Sequence, residues 1–579
     1  MKTMLSAAFA ALLAVQVAQQ TNVGIVQGVV TRTGTSEPLP FVQVVLVAGY
    51  LAPGLTGRAT AFSDALTART RNDTPATTDT PGPFATTTDS EGRFSFSGIA
   101  PGQYTVRAQR EGYFATPAFA EPTAGATAPI TVVAQQPVTP VALSLMAGGV
   151  VSGRIRDPGG QPVPRINITA YKVVYMEGRA VIVSEKSLST DDRGEYRMSW
   201  LPPGDYYFAT PRPGLPRGLN DSWARTFFPS TADTLLARPV TVIPGGEVPG
   251  IDITIQAVPD VRISGRVIPA DVNANTLNVA YSFSLVPRDP NVLIENLPAS
   301  VQNSATDRTG DRFEFRGIFP GSYDLVVDDP TGASSGFPSR PLRSGRVRVD
   351  VGSKDVIDVT VVLHPTVELK GTIRVDGSKA PLPFQPFGLS LQDIYSVIVT
   401  GNYAATVDRS GSFVIPNVPV GAYRFKGSAG SPSSAFNLPS DAYVFDIVQG
   451  GRSVYDSGIV VGPEVPDDIQ VTVRMDGGSV NGNVVDADQK LFKGARVALV
   501  PQGTRRQNGT LYRATFGGDD HFSFRGIAPG QYKLFAWESL PLYTAYQDET
   551  ILTKAETRGQ FVNIQAGIAT AAQVRVIPK

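Results

Sequence analysis

Apolar residues recur at every second position along most of this chain. Val42-x-Val44-x-Leu46, Phe94-x-Phe96 and Ile251-x-Ile253-x-Ile255 are clear cases, and no comparably strong helical spacing interrupts them. Period-two alternation puts one set of side chains on a single face, which predicts half-buried β-strands. The strands are punctuated by turn residues. Asp89-Ser-Glu-Gly92 precedes Phe94 and Phe96, and Pro101-Gly102 follows Ile99. An Asp side chain can cap a turn and Gly takes a positive φ, so this stretch predicts a turn, a strand, a second tight turn and a returning strand.

The same string returns four more times. It reads Asp191, Gly194, Tyr196, Met198, Leu201, Pro203-Gly204, Tyr206, and then Asp307, Gly310, Phe313, Phe315, Ile318, Pro320-Gly321, Tyr323. A fourth copy is Asp408, Gly411, Phe413, Ile415, Val418, Val420-Gly421, Tyr423; the fifth is Asp519, Phe522, Phe524, Ile527, Pro529-Gly530, Tyr532. The closing tyrosines of these copies, starting from Tyr104, lie 102, 117, 100 and 109 residues apart. Each copy opens on an apolar-x-Gly-x-apolar signature, centred on Gly28, Gly153, Gly265, Gly371 and Gly482. Alternating segments such as Val359-x-Val361-x-Leu363 and Ile469-x-Val471-x-Val473 close later copies. Internal repetition at this period predicts an all-β protein, a tandem array of about five antiparallel β-sandwich domains with transthyretin- or immunoglobulin-like character. The expected boundaries are 21–146, with a long insertion near 49–88, then 147–258, 259–364, 365–475 and 476–579. The repeated Tyr sits where a buried ring could hydrogen-bond backbone at a sandwich corner. Short Pro-bearing links such as Ala257-Val258-Pro259 and His364-Pro365 predict a semi-rigid, extended rod.

The Asp-x-x-Gly-x-Phe and Pro-Gly-x-Tyr motifs resemble the carboxypeptidase regulatory-like domain of bacterial secreted proteins, which has a transthyretin-like, carbohydrate-binding-like fold. The resemblance runs over nearly the whole chain after residue 20, strongest in copies one, two and five. It implies an accessory domain repeated without its enzyme. A metallocarboxypeptidase zinc site needs His-x-x-Glu, whereas Val367 stands three residues after His364 and Phe524 three after His521.

Composition narrows the field further. The 579 residues carry 51 Lys+Arg and 51 Asp+Glu, a balance that does not suit coating a nucleic-acid backbone. There is no Cys, which excludes disulfides, Cys-ligated metal centres and a thiol nucleophile. Lys2 followed by the Ala- and Leu-rich run Met4–Val15 predicts a signal peptide over 1–20, cleaved near Ala18 or retained as an anchor. Export without disulfides points to a bacterial periplasm, surface or exterior.

Candidate chemistry is sparse. Gly332-Ala-Ser334-Ser-Gly336 matches a nucleophile elbow in letters, but Asp328-Asp329-Pro330 and Phe337-Pro338 around it read as loop. Asp191-Asp192, Asp467-Asp468 and Asp519-Asp520 fall at turns, and Asp486-x-Asp488 lacks the remaining ligands of a calcium loop. Lys370 has no Asn facing it for an isopeptide bond. Aromatics outside the repeat are the better candidates: Trp223, Phe227 and Phe228 in a Pro-rich excursion of copy two, and Trp537 with Tyr543 and Tyr546 in copy five. Exposed rings there would stack on sugar faces, and rings packed under their own loops would not. Trp200, inside the repeated hairpin, is expected in the core. The chain thus reads as a non-enzymatic exported binding or scaffolding protein without cofactor or metal, with polysaccharide the ligand class favoured by the fold resemblance. The alternative is a cell-envelope structural or adhesion protein with a protein partner, and a hydrolase ranks last.

Overall fold

A computed structural model describes residues 24–48, 84–115, 130–133, 140–176, 178–210, 225–256, 261–270, 281–288, 294–295, 311–315, 318, 320–329, 343–377, 388–394, 403–426, 438–464, 466–517, 521–540 and 544–578. The predicted signal segment and most of the insertion of copy one lie outside these residues. Five sandwich units follow one another, with strands running over Gly24–Ala147, Gly149–Thr254, Ile263–Pro365, Val367–Arg474 and Gly478–Ile577. Each unit encloses an apolar core of its own. The chain is an all-β, multidomain sandwich array.

One plan recurs. In the first unit the opening strand Gly24–Arg32 lies between the Phe-x-Phe strand Arg93–Ile99, antiparallel, and the closing strand Val141–Ala147, parallel. Gly28 is opposite Phe94 on one side and Val141 on the other. In the fourth unit Gly371 is opposite Phe413 and Ile469, and in the fifth Gly482 is opposite Phe522 and Ala572. The parallel pair is a departure from a purely antiparallel sandwich. It arises because the closing strand returns from the opposite sheet and enters beside the opening strand. The facing sheet of the first unit pairs Gln43–Ala48 with the Tyr-led strand Gly102–Gln109.

This register explains the opening glycine. A Cβ at Gly371 would stand 2.6 Å from the Ile469 carbonyl oxygen and 2.9 Å from Phe413 Cε1. Gly28, Gly153, Gly265 and Gly482 face the carbonyls of Val141, Ile251, Val359 and Ala572 at closer approach still. The closing strand and, in four of the five units, the first ring of the Phe-x-Phe strand occupy the place a side chain would take.

The Asp-x-x-Gly turns form as expected where they are described, but the Pro-Gly turn carries the chain across to the facing sheet and does not close the repeated hairpin expected from sequence. Asp89 Oδ1 accepts from the amides of Glu91 at 3.0 Å and Arg93 at 2.7 Å, while Gly92 adopts φ +71°. Asp191 and Asp408 repeat this geometry with Gly194 and Gly411. Asp486 also caps a turn, accepting from Asp488 and Lys490 amides, so its carboxylate serves the backbone. In four of the five units the Tyr-led strand closes its corner by a hydrogen bond to the carbonyl four residues back. Tyr104 donates to Ala100, Tyr206 to Pro202, Tyr423 to Pro419 and Tyr532 to Ala528, at 3.0, 2.6, 2.9 and 2.8 Å.

Between the Phe-x-Phe pair and the next core residue the register slips, leaving a bulge residue with positive φ. Gly98, Trp200, Asn417 and Gly526 occupy it, at φ +76°, +58°, +56° and +61°. This overturns the expectation for Trp200. Strict alternation after Tyr196 and Met198 would turn it inward, but the slip hands the core position to Leu201 and leaves Trp200 51 % exposed.

Two joints between units are built alike. Met146-Ala147-Gly148-Gly149 links the first pair and Met475-Asp476-Gly477-Gly478 the last pair. Gly148 N donates to Gly112 O at 2.8 Å and Gly477 N to Asp441 O at 2.7 Å. Across each joint, Gly245 N donates to Ala147 O and Gly567 N to Asp476 O. A Cβ on Gly148 would strike the Trp200 backbone and one on Gly477 that of Gly526, so the linker lies flat on the bulge of the next unit.

The array is not a straight rod. The second unit carries a long hairpin, Asn167–Met176 with Arg179–Ser189. Its edge takes up Ile294–Glu295 of the third unit as a parallel strand, Val181 opposite Ile294. Its tip reaches the fifth unit. Thr544 donates to Tyr175 O from its amide at 3.0 Å and from its hydroxyl at 2.9 Å, and Gly178 N donates to Thr544 Oγ1 at 3.1 Å. A fold-back of the chain thereby joins units two and five.

Candidate interaction surfaces

Of the rings proposed from sequence, Trp223 and Tyr543 lie outside the described residues. Phe227, Phe228 and Trp537 pack in or against cores, as does Tyr546. In the excursion of the second unit, Thr226–Phe227 pairs as a short strand with Ala209–Thr210. Phe227, 2 % exposed, packs with Tyr171, Ile182 and Ala209 on the outer face of the hairpin sheet. Phe228 turns to the main core of that unit, and its amide donates to Phe208 O at 2.9 Å.

Trp537 is 5 % exposed and stacks on Phe535, with ring centroids 5.5 Å apart. On its strand Gly530–Trp537, Tyr532, Leu534 and Ala536 face the sandwich core, so Phe535 and Trp537 face outward. The following excursion covers them. It contains the helix Glu549–Ala555, capped by Asp548, whose carboxylate accepts from Ile551 N at 3.0 Å. Leu552 and Ala555 of that helix, with Tyr546, close over the Trp537 ring. A ring buried on both faces offers nothing to a sugar, so Phe227 and Trp537 are corrected from candidate ligand contacts to packing residues, and half-buried Phe228 packs against the core of its unit. The helix was absent from the sequence reading, although Asp548 followed by Leu552 and Ala555 on one face is a short-helix signal.

The excursion is pinned electrostatically. Lys533 Nζ lies 2.5 Å from Glu556, and Arg506 lies 2.8 Å from Glu556 and 2.9 Å from Glu549. The hydrogen bond from Arg506, then that from Lys533, holds the Glu556 carboxyl below its ordinary range. Burial first, with Glu549 nearby, pushes the Tyr512 phenol up to about 12. Tyr175 at the hairpin tip packs against this same Trp537 cluster, and burial raises its phenol too.

Trp200 is the tryptophan that meets solvent among the described residues. Its ring lies against Gly112 of the first unit, and Lys186 Nζ stands 5.6 Å from its centroid. A broad polar groove on the second unit is lined by Arg154, Asp191, Glu195, Arg197 and Asp252. These groups pair among themselves: Arg154 with Glu195 at 2.5 Å, and Arg154 N with Asp252. Arg197 of the same groove pairs with Glu247. Units three and four are tied by Arg346 with Asp393. The described residues hold no group of three or more potential metal-ligating side chains, and no described helix is long and apolar enough to cross a membrane. Ser334 and the motif around it lie outside the described residues, as do Asp519 and Asp520.

No protein-family model matches the chain, that of the carboxypeptidase regulatory-like domain included, and no curated protein matches it. Solved structures to which the chain shows some similarity include an ancillary pilin of Streptococcus, 16 % identical over 59 % of this chain and 99 % of that one, with a TM-score of 0.20. BcpA, the major pilin subunit of Bacillus cereus, is 10 % identical over 74 % of this chain and 98 % of its own, with a TM-score of 0.13. The TIE protein of Bacillus anthracis is 12 % identical over 59 % of this chain, with a TM-score of 0.16, and the match spans 50 % of its length.

Proposed function

We propose that this chain is a non-enzymatic structural or adhesion component of the bacterial cell envelope, working as a braced multidomain scaffold toward a protein partner. The observation that carries the reading is the bond between units two and five, in which a hairpin tip is held by three hydrogen bonds and by the packing of half-buried Tyr175. Excursion loops that could have presented rings to a ligand instead cover the sheets and build this contact. Structural rigidity is what the added segments supply. Export to the periplasm or surface is part of the proposal and rests on the apolar N-terminal run.

The test has two arms. Small-angle scattering on the full chain should report a radius of gyration well below the roughly 50 Å of five such units in line, against about 25 Å for a fully compact chain. Thr544→Val should raise it by loosening the fold-back. Fractionation of cells producing the tagged protein should place it in the envelope. A linear-rod radius that Thr544→Val leaves unchanged, or a cytoplasmic protein, overturns the proposal. Polysaccharide binding is the second reading, supported by the half-exposed Trp200 ring. Retention on an insoluble glycan that Trp200→Ala abolishes would establish it.

A further inference from the structure

The joint between units four and five encloses a cleft with an unusual lining. Tyr443 and Tyr455 come from unit four; Arg505, Arg513 and Tyr532 come from unit five. Its floor is sealed by close backbone approach, since a Cβ on Gly526 would stand 2.6 Å from Ala442 O. Tyr455 O is fixed by Asn508 Nδ2 at 2.9 Å, which holds the two walls together. Both arginines are partly buried, and among the described residues neither forms an ion pair with a carboxylate.

From this geometry we infer that the cleft is a binding site for a small oxyanion, of carboxylate or sulfate size, held by the Arg505 and Arg513 guanidinium groups. Two guanidinium groups lining one partly dehydrated cleft lack the solvation that water gave them. An oxyanion restores it, because a guanidinium fork matches its oxygens in a plane. The Tyr hydroxyls do not replace it. Tyr532 donates to Ala528 O and so remains an acceptor toward Arg505 without adding charge. Burial moves the Arg513 guanidinium below its ordinary value, and the phenols of Tyr455, Tyr532 and Tyr546 offset this only in part. By contrast Arg506, one residue from Arg505, is fully engaged by Glu549 and Glu556. The cleft arginines are therefore set apart within the same short segment. Because the lining comes from two units, a bound anion would also stiffen the joint. The inference is independent of the envelope reading above.

The experiment uses the full chain with sodium acetate and sodium sulfate as probes and sodium chloride at matched ionic strength as reference. Isothermal titration should show saturable binding of one equivalent of acetate or sulfate, weakened at least tenfold in Arg513→Gln and in Arg505→Gln. In a buffer free of these anions Arg513→Gln should melt no lower than the parent, since it removes an uncompensated cation; with the anion present the parent should melt higher. Arg505→Gln decides the matter if Arg513→Gln does not fold. A planar site answers to acetate and a roomier one to sulfate. An unsaturable response, or one equal in parent and variants, is a general salt effect and overturns the inference.

Discussion

Gly371→Ala is the sharpest test of how these units are built. The added methyl would stand 2.6 Å from Ile469 O and 2.9 Å from Phe413 Cε1. An ordinary contact of this kind is about 3.4 Å, so Ile469 O must retreat by roughly 0.8 Å and the Phe413 ring, whose Cζ lies nearer still, by more. Neither has room. Ile469 is laddered to Gly371 on one side and to Gln449 on the other, and Phe413 is buried in the core. Overpacking by one methyl costs about 1–3 kcal/mol, and a strained ladder bond adds about 1 kcal/mol. A loss of about 2–4 kcal/mol lowers the transition of a 100-residue domain by on the order of 10–25 °C. Gly462→Ala, in the same unit, is the control: nothing lies within 4 Å of its Cβ position and its φ is not positive. It should be neutral or stabilising by up to about 1 kcal/mol. Scanning calorimetry should resolve the shifted transition, and amide exchange should place it in residues 367–474. If Gly371→Ala melts within 1–2 °C (on the order of experimental error) of Gly462→Ala, steric exclusion is not why the opening signature carries glycine.

Three further outcomes follow from packing and charge. Tyr206→Phe removes the corner bond to Pro202 and leaves a buried carbonyl unpaired, for a loss of about 1–2 kcal/mol in denaturant titration; no change would show the bond to be idle. Trp537→Ala should cost about 3–5 kcal/mol and release the excursion around Glu549–Ala555, read as new protease sensitivity there; wild-type resistance would contradict its place in the core. The Glu556 carboxyl is held low in the folded chain, so its contribution is present above about pH 4.5 and is lost as pH falls through the folded value. Acid titration followed by Trp fluorescence should therefore show an excursion-opening step below that pH, and Glu556→Gln should abolish the step.

What could be read from sequence was local. Asp89, Gly92, Phe94, Phe96 and Tyr104 lie within one short stretch, and their turn caps, strand faces and corner bond follow from spacing alone; that the Phe-led and Tyr-led strands belong to facing sheets and do not pair as a hairpin did not. The fate of Phe227 and Trp537 was not local, because each is covered by a segment whose own fold had to be known first. Trp200 misled through a one-residue slip, which alternation counts across without noticing; Gly98 and Gly526 at the matching places were the available warning. The fold-back had a trace as well. Apolar residues run almost unbroken from Ala170 to Tyr175 and from Ala180 to Val183 around a turn, the mark of a hairpin buried on both faces. The recurrence of Met-x-Gly-Gly at residues 146–149 and 475–478 likewise marked the two matching joints.

The bond between Tyr175 and Thr544 sets how this molecule bears load. Tension applied along the chain and entering at unit one would pass through the Gly148 joint into unit two, and from there by the hairpin directly into unit five. Units three and four lie on the slack branch of a closed circuit. Pulled from its ends, the protein should yield first at the hairpin tip and pay out the stored length of two folded units, and only then begin to unravel a sandwich. It would behave as a safety link, with a low first threshold, a long extension and a strong second stop.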